Sequence, residues 1–211
     1  VISGKWIFTT HYYAANIGED ASPFAASLLT ICSLNMTHLI ILIGLPGSGK
    51  SSLAQQLLGE ESRRLLISTD AIRRQLFGDE AIQGAWLLIW REVERLLQQA
   101  VIQIARGVVT EAIYDATNAQ RRHRREVIAL ARATGFTKIT GLWLDTPVWL
   151  CLARNKKRHR SVPDDVIFRM HRQLRDAPPS VLEGLDCLIH YQPAKVSTYG
   201  DCDYALSKNR T

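Results

Sequence analysis

The chain has 211 residues, 46% of them apolar and 22% charged, the make-up of an ordinary globular domain, which excludes a chain disordered throughout. Lys and Arg number 26 against 20 Asp and Glu, an excess that favours polyanionic partners such as nucleotides or nucleic acid. No apolar run reaches the ~20 residues that a membrane-crossing helix needs, so no membrane partner is expected.

The first 35 residues carry only three charged side chains, Lys5, Glu19 and Asp20, and show no clear periodicity. Met36 stands directly before the first convincing strand. Residues 1–35 are therefore expected to be an extension from an early start, 36–192 the working domain, and 193–211 a polar, loosely ordered tail. Cys32, Cys151, Cys187 and Cys202 have neither paired nor zinc-type spacing. They read as reduced thiols of a cytoplasmic protein.

From Met36 the pattern alternates strand and helix. His38–Ile43 is an apolar run ending in a Gly-rich turn, the signature of a buried parallel strand. Lys50–Leu58 is the helix after it. Leu65–Ser68 is a second strand, and Asp70 can cap the following helix. Trp86, Ile89, Trp90, Val93, Leu96, Leu97, Ala100, Val101 and Ile104 recur at spacings of three and four, marking one long amphipathic helix stopped at Gly107. Val108–Tyr114 is a third strand, interrupted by Glu111, which either sits near the strand edge or precedes the strand. Arg121–Thr134 is a helix ended by Gly135, and Lys138–Leu144 a fourth strand. Helices over Val148–Arg158 and Pro163–Arg175 and a short strand over Cys187–His190 complete the series. Strands separated by helices predict a parallel sheet covered on both faces, a three-layer α/β/α domain.

The strongest motif is Gly44-Leu-Pro46-Gly47-Ser48-Gly49-Lys50-Ser51, which fits the P-loop pattern at every specified place. Its glycines let the backbone fold into a nest of N–H groups that point at phosphate oxygens. The helix start adds its positive dipole end. Lys50 is expected to bridge the β- and γ-phosphates of ATP, and Ser51 to offer its hydroxyl to Mg²⁺. The expected nucleotide-binding set is Gly44, Pro46, Gly47, Ser48, Gly49, Lys50, Ser51 and Ser52.

Asp70 and Arg73, three apart after the second strand, share a helix face at the carboxyl edge of the sheet. Asp70 is a candidate base for a hydroxyl acceptor and Arg73 a candidate holder of that acceptor. The competing reading is a helix cap and a solvated cation. Asp115, at the end of the third strand, is a candidate metal partner with Ser51. Thr117 and Asn118 bind an acceptor or simply make the turn. Residues 145–180 carry eight Lys and Arg against four acids, placed where a cationic lid over a γ-phosphate belongs. Arg154 and Arg158, four apart, share a helix face, and the competing reading of the run is a solvated basic face. Arg121, Arg122, Arg124 and Arg125 form a second basic cluster, read as a guide for a polyanion or as a solvated helix face.

The order GLPGSGKS, STDAIR, DATN and an Arg-x-x-x-Arg lid resembles the P-loop kinase domain of bacterial and phage polynucleotide 5′-hydroxyl kinases. The same broad group, often labelled AAA-type ATPases, contains zeta-toxin-like kinases. The resemblance covers about Thr37 to Tyr191. It implies a five-stranded parallel sheet, Asp70 as general base, Arg73 beside the acceptor hydroxyl, and Arg154 and Arg158 as lid arginines. The expected activity is transfer of the ATP γ-phosphate to a hydroxyl, with a nucleic-acid 5′ end as the first acceptor. A small metabolite or nucleotide sugar is the second, and an acceptor-less ATPase or nucleotide-gated module the third. The oligomeric state is left open.

Overall fold

The computed structural model describes residues 36–200 apart from 83, 159, 193 and 194. The readings for residues 1–35 and for the end of the chain beyond residue 200 lie outside the described residues. Five strands run parallel: β1 (His38–Gly44), β2 (Arg64–Ser68), β3 (Glu111–Asp115), β4 (Lys138–Leu144) and β5 (Cys187–Gln192). The helices are α1 (Lys50–Glu60), α2 (Thr69–Phe77), α3 (Trp86–Ala105), α4 (Arg121–Thr134), α5 (Val148–Lys156) and α6 (Asp164–Asp176). A sixth strand, β6 (Lys195–Gly200), pairs antiparallel with β5. The sequence reading had placed this segment in a loosely ordered tail.

The strand order is β2-β3-β1-β4-β5-β6. The chain passes from β3 to β4 across β1, so the direction of winding reverses beside β1. Ligand crevices of open α/β sheets lie at such a reversal, outside the carboxyl ends of the strands. The Gly-rich turn follows β1 at this point.

Alternation along β1 explains the three layers. Leu39, Ile41 and Ile43 join the core cluster that contains the buried faces of α3 and α4. Ile40 and Leu42 join a second cluster with Ala54 and Leu57 of α1. All five are at most 1% exposed, as a central strand covered on both faces must be.

Glu111 is the first residue of β3 and is buried. The parallel register sets it beside His38 of β1 and Arg64 of β2. His38 Nδ1 lies 2.7 Å from one carboxylate oxygen, and Arg64 Nε donates to the other. A buried carboxylate is tolerated because two partners satisfy it.

The basic cluster at the start of α4 divides on inspection. Arg124 is fully buried and donates through Nε and Nη2 to both carboxylate oxygens of Glu183, at 2.6 Å each. Its Nη1 also donates to the Ala119 carbonyl at 2.9 Å. Arg122 pairs with Glu126. Buried and paired, Arg124 cannot belong to a polyanion guide, whereas Arg122 stays on the exposed face of α4. Cys151 is a buried free thiol. Cys187 is disulfide-bonded, contrary to the reduced state expected from its isolated spacing.

Candidate functional site

The turn between β1 and α1 is shaped by its glycines. Gly47 has φ +80°, and a Cβ there would stand 2.4 Å from the Cys151 carbonyl oxygen of α5. Only glycine lets the loop lie that close to α5. Gly49 precedes α1 with φ 105°, and no side chain caps the helix. The first N–H groups of α1 are thus left for an anion. Thr146, just after β4, donates its hydroxyl to the Ser48 carbonyl at 3.0 Å and pins the loop from the other side.

Lys50 is buried and lies across its own loop, donating to the carbonyls of Gly44 at 2.9 Å and Leu45 at 2.8 Å. Burial pushes its pKa down to about 8, against the opposing pull of the Asp115 charge. Ser51 donates its hydroxyl to Asp115 Oδ2 at 2.9 Å. Burial pushes the Asp115 carboxyl up, while Lys50 and the Ser51 bond act the other way. This set of a carboxylate, a hydroxyl and an adjacent ammonium fits a hard cation bridged to phosphate oxygens. Ser52 is exposed on the first turn of α1.

The D-A-T-N segment braces this loop. The Thr117 carbonyl accepts from Gly44 N at 3.0 Å, and Asn118 Nδ2 donates to the Leu42 carbonyl at 2.7 Å. Asn118 sits at φ 49°, a left-handed conformation that Asn tolerates. Of the two readings of these residues, the turn is the one with visible bonds.

Beyond Lys50 and Ser51 opens a cavity of about 400 Å³ that Asp70, Arg73, Asp115 and Arg158 also line. Ser68, not Asp70, caps α2: its hydroxyl accepts from Ala71 N at 3.4 Å. That corrects the expected cap and leaves the Asp70 carboxylate to the cavity. Arg73 Nη1 donates to Asp70 Oδ1 at 2.8 Å. Arg73 Nε is buried and has no hydrogen-bond partner among the described residues, a costly state for a guanidinium N–H.

The lid is organised differently from the helical Arg pair expected. Helix α5 ends at Lys156, two residues short of Arg158. Arg154, on the helix, has its Nη1 4.0 Å from where a Cβ on Gly49 would stand. Arg158 lies in the turn beyond and reaches the cavity, as does Arg160. The loop that carries both is closed by buried Asn155, which donates to the Val162 carbonyl at 2.7 Å and accepts from Val162 N at 3.0 Å. Arg160 Nη1 approaches Asp70 to 3.5 Å, so the loop after α5 touches the first turn of α2.

A model of the AAA domain family, AAA_33, matches residues 39–177. The chain belongs to that family. No curated protein matches this AAA domain by sequence. Among solved structures it is similar to a chain of the Pnkp1/Rnl/Hen1 RNA repair complex, with TM-score 0.56, 23% identity, and 67% of this chain and 45% of that one covered. It is also similar to the PezAT chromosomal toxin–antitoxin system of Streptococcus pneumoniae, with TM-score 0.50, 15% identity, and 81% and 75% covered. A putative kinase from Chloroflexus aurantiacus superposes with TM-score 0.48 and 20% identity over 59% of this chain and 68% of that one. The AAA domain thus spans less than half of the RNA-repair chain it matches. At 23% and 15% identity, the likeness to the first two structures establishes the P-loop kinase-like fold. No described helix is long and apolar enough to cross a membrane.

Sequence reasoning missed several residues of the site. Thr146 and Arg160 act through contacts with residues distant in sequence, and Asn155 through a loop closure onto Val162 that no periodicity reveals. Trp86 and Trp90, marks of the amphipathic stripe of α3, also line the cavity.

Proposed function

We propose that this domain is an ATP-dependent kinase that transfers the γ-phosphate to a hydroxyl, with a polynucleotide 5′ end as acceptor. The observation that carries the reading is the Asp70–Arg73 pair, which opens into the same cavity as Lys50, Ser51 and Asp115. A hydrolase needs only water beside its phosphate cradle. A carboxylate paired with an incompletely bonded arginine is what a hydroxyl acceptor requires.

In this reading the loop amides and Lys50 hold the triphosphate. Ser51 and Asp115 would hold Mg²⁺, which when bound neutralises charge on the β- and γ-oxygens. Asp70 accepts the proton of the acceptor hydroxyl as that oxygen bonds to the γ-phosphorus. The bond from the γ-phosphorus to the β,γ-bridging oxygen breaks, and ADP leaves. Arg73 orients the acceptor through its unpaired Nε. Arg154 and Arg158 offset the charge that develops on the transferring group. The net charge of +6 agrees with an anionic acceptor.

The test is ADP release, dependent on ATP and Mg²⁺, across a panel of 5′-OH DNA, 5′-OH RNA, nucleosides and sugars. The reading expects stimulation by oligonucleotides. Asp70→Asn should lower turnover by roughly 10²–10⁴-fold and leave ATP affinity nearly intact. Stimulation by sugars or nucleosides alone would move the assignment to a small-molecule kinase. Basal hydrolysis that no acceptor stimulates would move it to an acceptor-less ATPase.

A further inference from the structure

The apolar stripe of α3 outruns the core it covers. Ile89, Val93, Leu97 and Ala100 are each 0% exposed. Trp86 continues the same stripe one turn earlier, yet it is 45% exposed. The first turn of α3 therefore overhangs the cavity rather than the sheet, and the Trp86 and Trp90 rings line it. The two rings lie 5.8 Å apart and tilted by 31°. Trp86 also stacks on His123 of α4, at 6.1 Å and 24°. Three rings from two helices thus make one continuous aromatic wall, in the cavity that Asp70 and Arg73 share.

We propose that Trp86, Trp90 and His123 form the stacking platform for the nucleobase of the acceptor's terminal nucleotide. The inference rests on the kinase reading above and specifies what its acceptor must carry. Flat π-faces take a planar ring with little regard for its identity. The lid segment and α6 add Val162, Val166 and Met170 to the same cavity. That apolar lining suits the faces of a base. Arg73 and Arg160 supply cations for the phosphate that follows the terminal nucleoside. At about 400 Å³ the space takes one nucleotide end, within the range of about 300–1,000 Å³ for small-ligand sites. The remainder of a polynucleotide would lie outside. Acceptor recognition should therefore be indifferent to which base is terminal but not to its presence.

The experiment compares 5′-OH oligonucleotides that bear a normal terminal base with ones that are abasic at that nucleotide. Both transfer and direct binding are measured, on the parent, Trp86→Ala and Trp86→Phe. The parent should prefer the base-bearing end by roughly five- to hundred-fold in KM and in binding, whichever base is present. Trp86→Ala should weaken handling of the base-bearing end at least about fivefold more than that of the abasic end, and Trp86→Phe should retain most of the parent's preference. Equal use of abasic and base-bearing ends by the parent overturns the platform while the kinase reading stands. Base-dependent binding lost in Trp86→Ala, with no transfer by the parent, upholds the platform and removes the kinase reading. A loss in Trp86→Ala that is equal for both ends assigns Trp86 to general folding and overturns the platform.

Discussion

Ser51 and Asp115 are 64 positions apart in sequence, yet the Ser51 hydroxyl donates to Asp115 Oδ2 at 2.9 Å. The bond joins the first turn of α1 to the carboxyl end of β3, across the reversal beside β1. The same two groups would share a divalent cation. Asp115→Asn keeps the shape and removes the charge. The Mg²⁺ concentration for half-maximal ADP release should rise by about 10- to 100-fold. Nucleotide binding without metal, followed by calorimetry, should weaken far less. An unchanged Mg²⁺ requirement would dissociate Asp115 from the metal.

Lys50 gives a pH signature. Burial holds its pKa at about 8 against an ordinary value of 10.5. Between those values the unfolded chain keeps the proton that the folded chain has lost, so this group adds stability as pH rises through that window. A triphosphate reverses the preference, because it favours the charged ammonium. ATP affinity should therefore fall as pH rises above about 8, and binding there should take up a proton. Calorimetry in buffers of different ionisation enthalpy measures that uptake directly. It should approach one proton at about pH 8.5 and vanish near pH 6.5. Lys50→Met should bind weakly at both and show no uptake.

How much of this was visible in the sequence depends on how local each feature is. The β1 strand, the nest and the α1 start follow from adjacent residues, because glycine placement and dipole alignment are local constraints. Asp70 and Arg73 were legible for the same reason, being three apart on one helix. The position of Arg158 was not. It depends on Asn155 closing the loop onto Val162, which shortens α5 by a turn's fraction. Glu111 looked like an anomaly because its two partners come from other strands and become neighbours only through register. Strand β6 was hidden because its pairing partner, β5, decides its conformation, while its own composition is polar.

The Glu111 cluster predicts acid sensitivity remote from the cavity. Burial alone would raise this carboxyl, but the bonds and charges of His38 and Arg64 outweigh it and hold it below the ordinary 4.5. A depressed carboxyl contributes stability above its unfolded pKa and loses it as pH falls through the folded one. Melting temperature should therefore drop below about pH 4.5 more steeply in the parent than in Glu111→Gln. The variant should be less stable at neutral pH, where His38 and Arg64 lose their anion. Parallel pH profiles of the two proteins would assign the acid transition to other carboxylates.

Arg124 and Glu183 offer a test of how the segment beyond α6 is held. Both side chains are 0% exposed and meet through two charge-assisted bonds. Arg124 also donates to the Ala177 carbonyl at 2.8 Å, just past the end of α6. One side chain thus ties α4 to the chain that enters β5. Arg124→Ala leaves the buried Glu183 carboxylate with only the more distant Arg121 Nε, 3.7 Å away, so it should cost about 3 kcal/mol in urea unfolding. Replacing the pair together, as Arg124→Met with Glu183→Leu, removes both charges and should recover much of that loss. The double variant should not regain the parent's stability in full, because the Ala119 and Ala177 carbonyls would still lack their donor. If the double variant is as unstable as Arg124→Ala, the carbonyl bonds rather than the ion pair hold this corner.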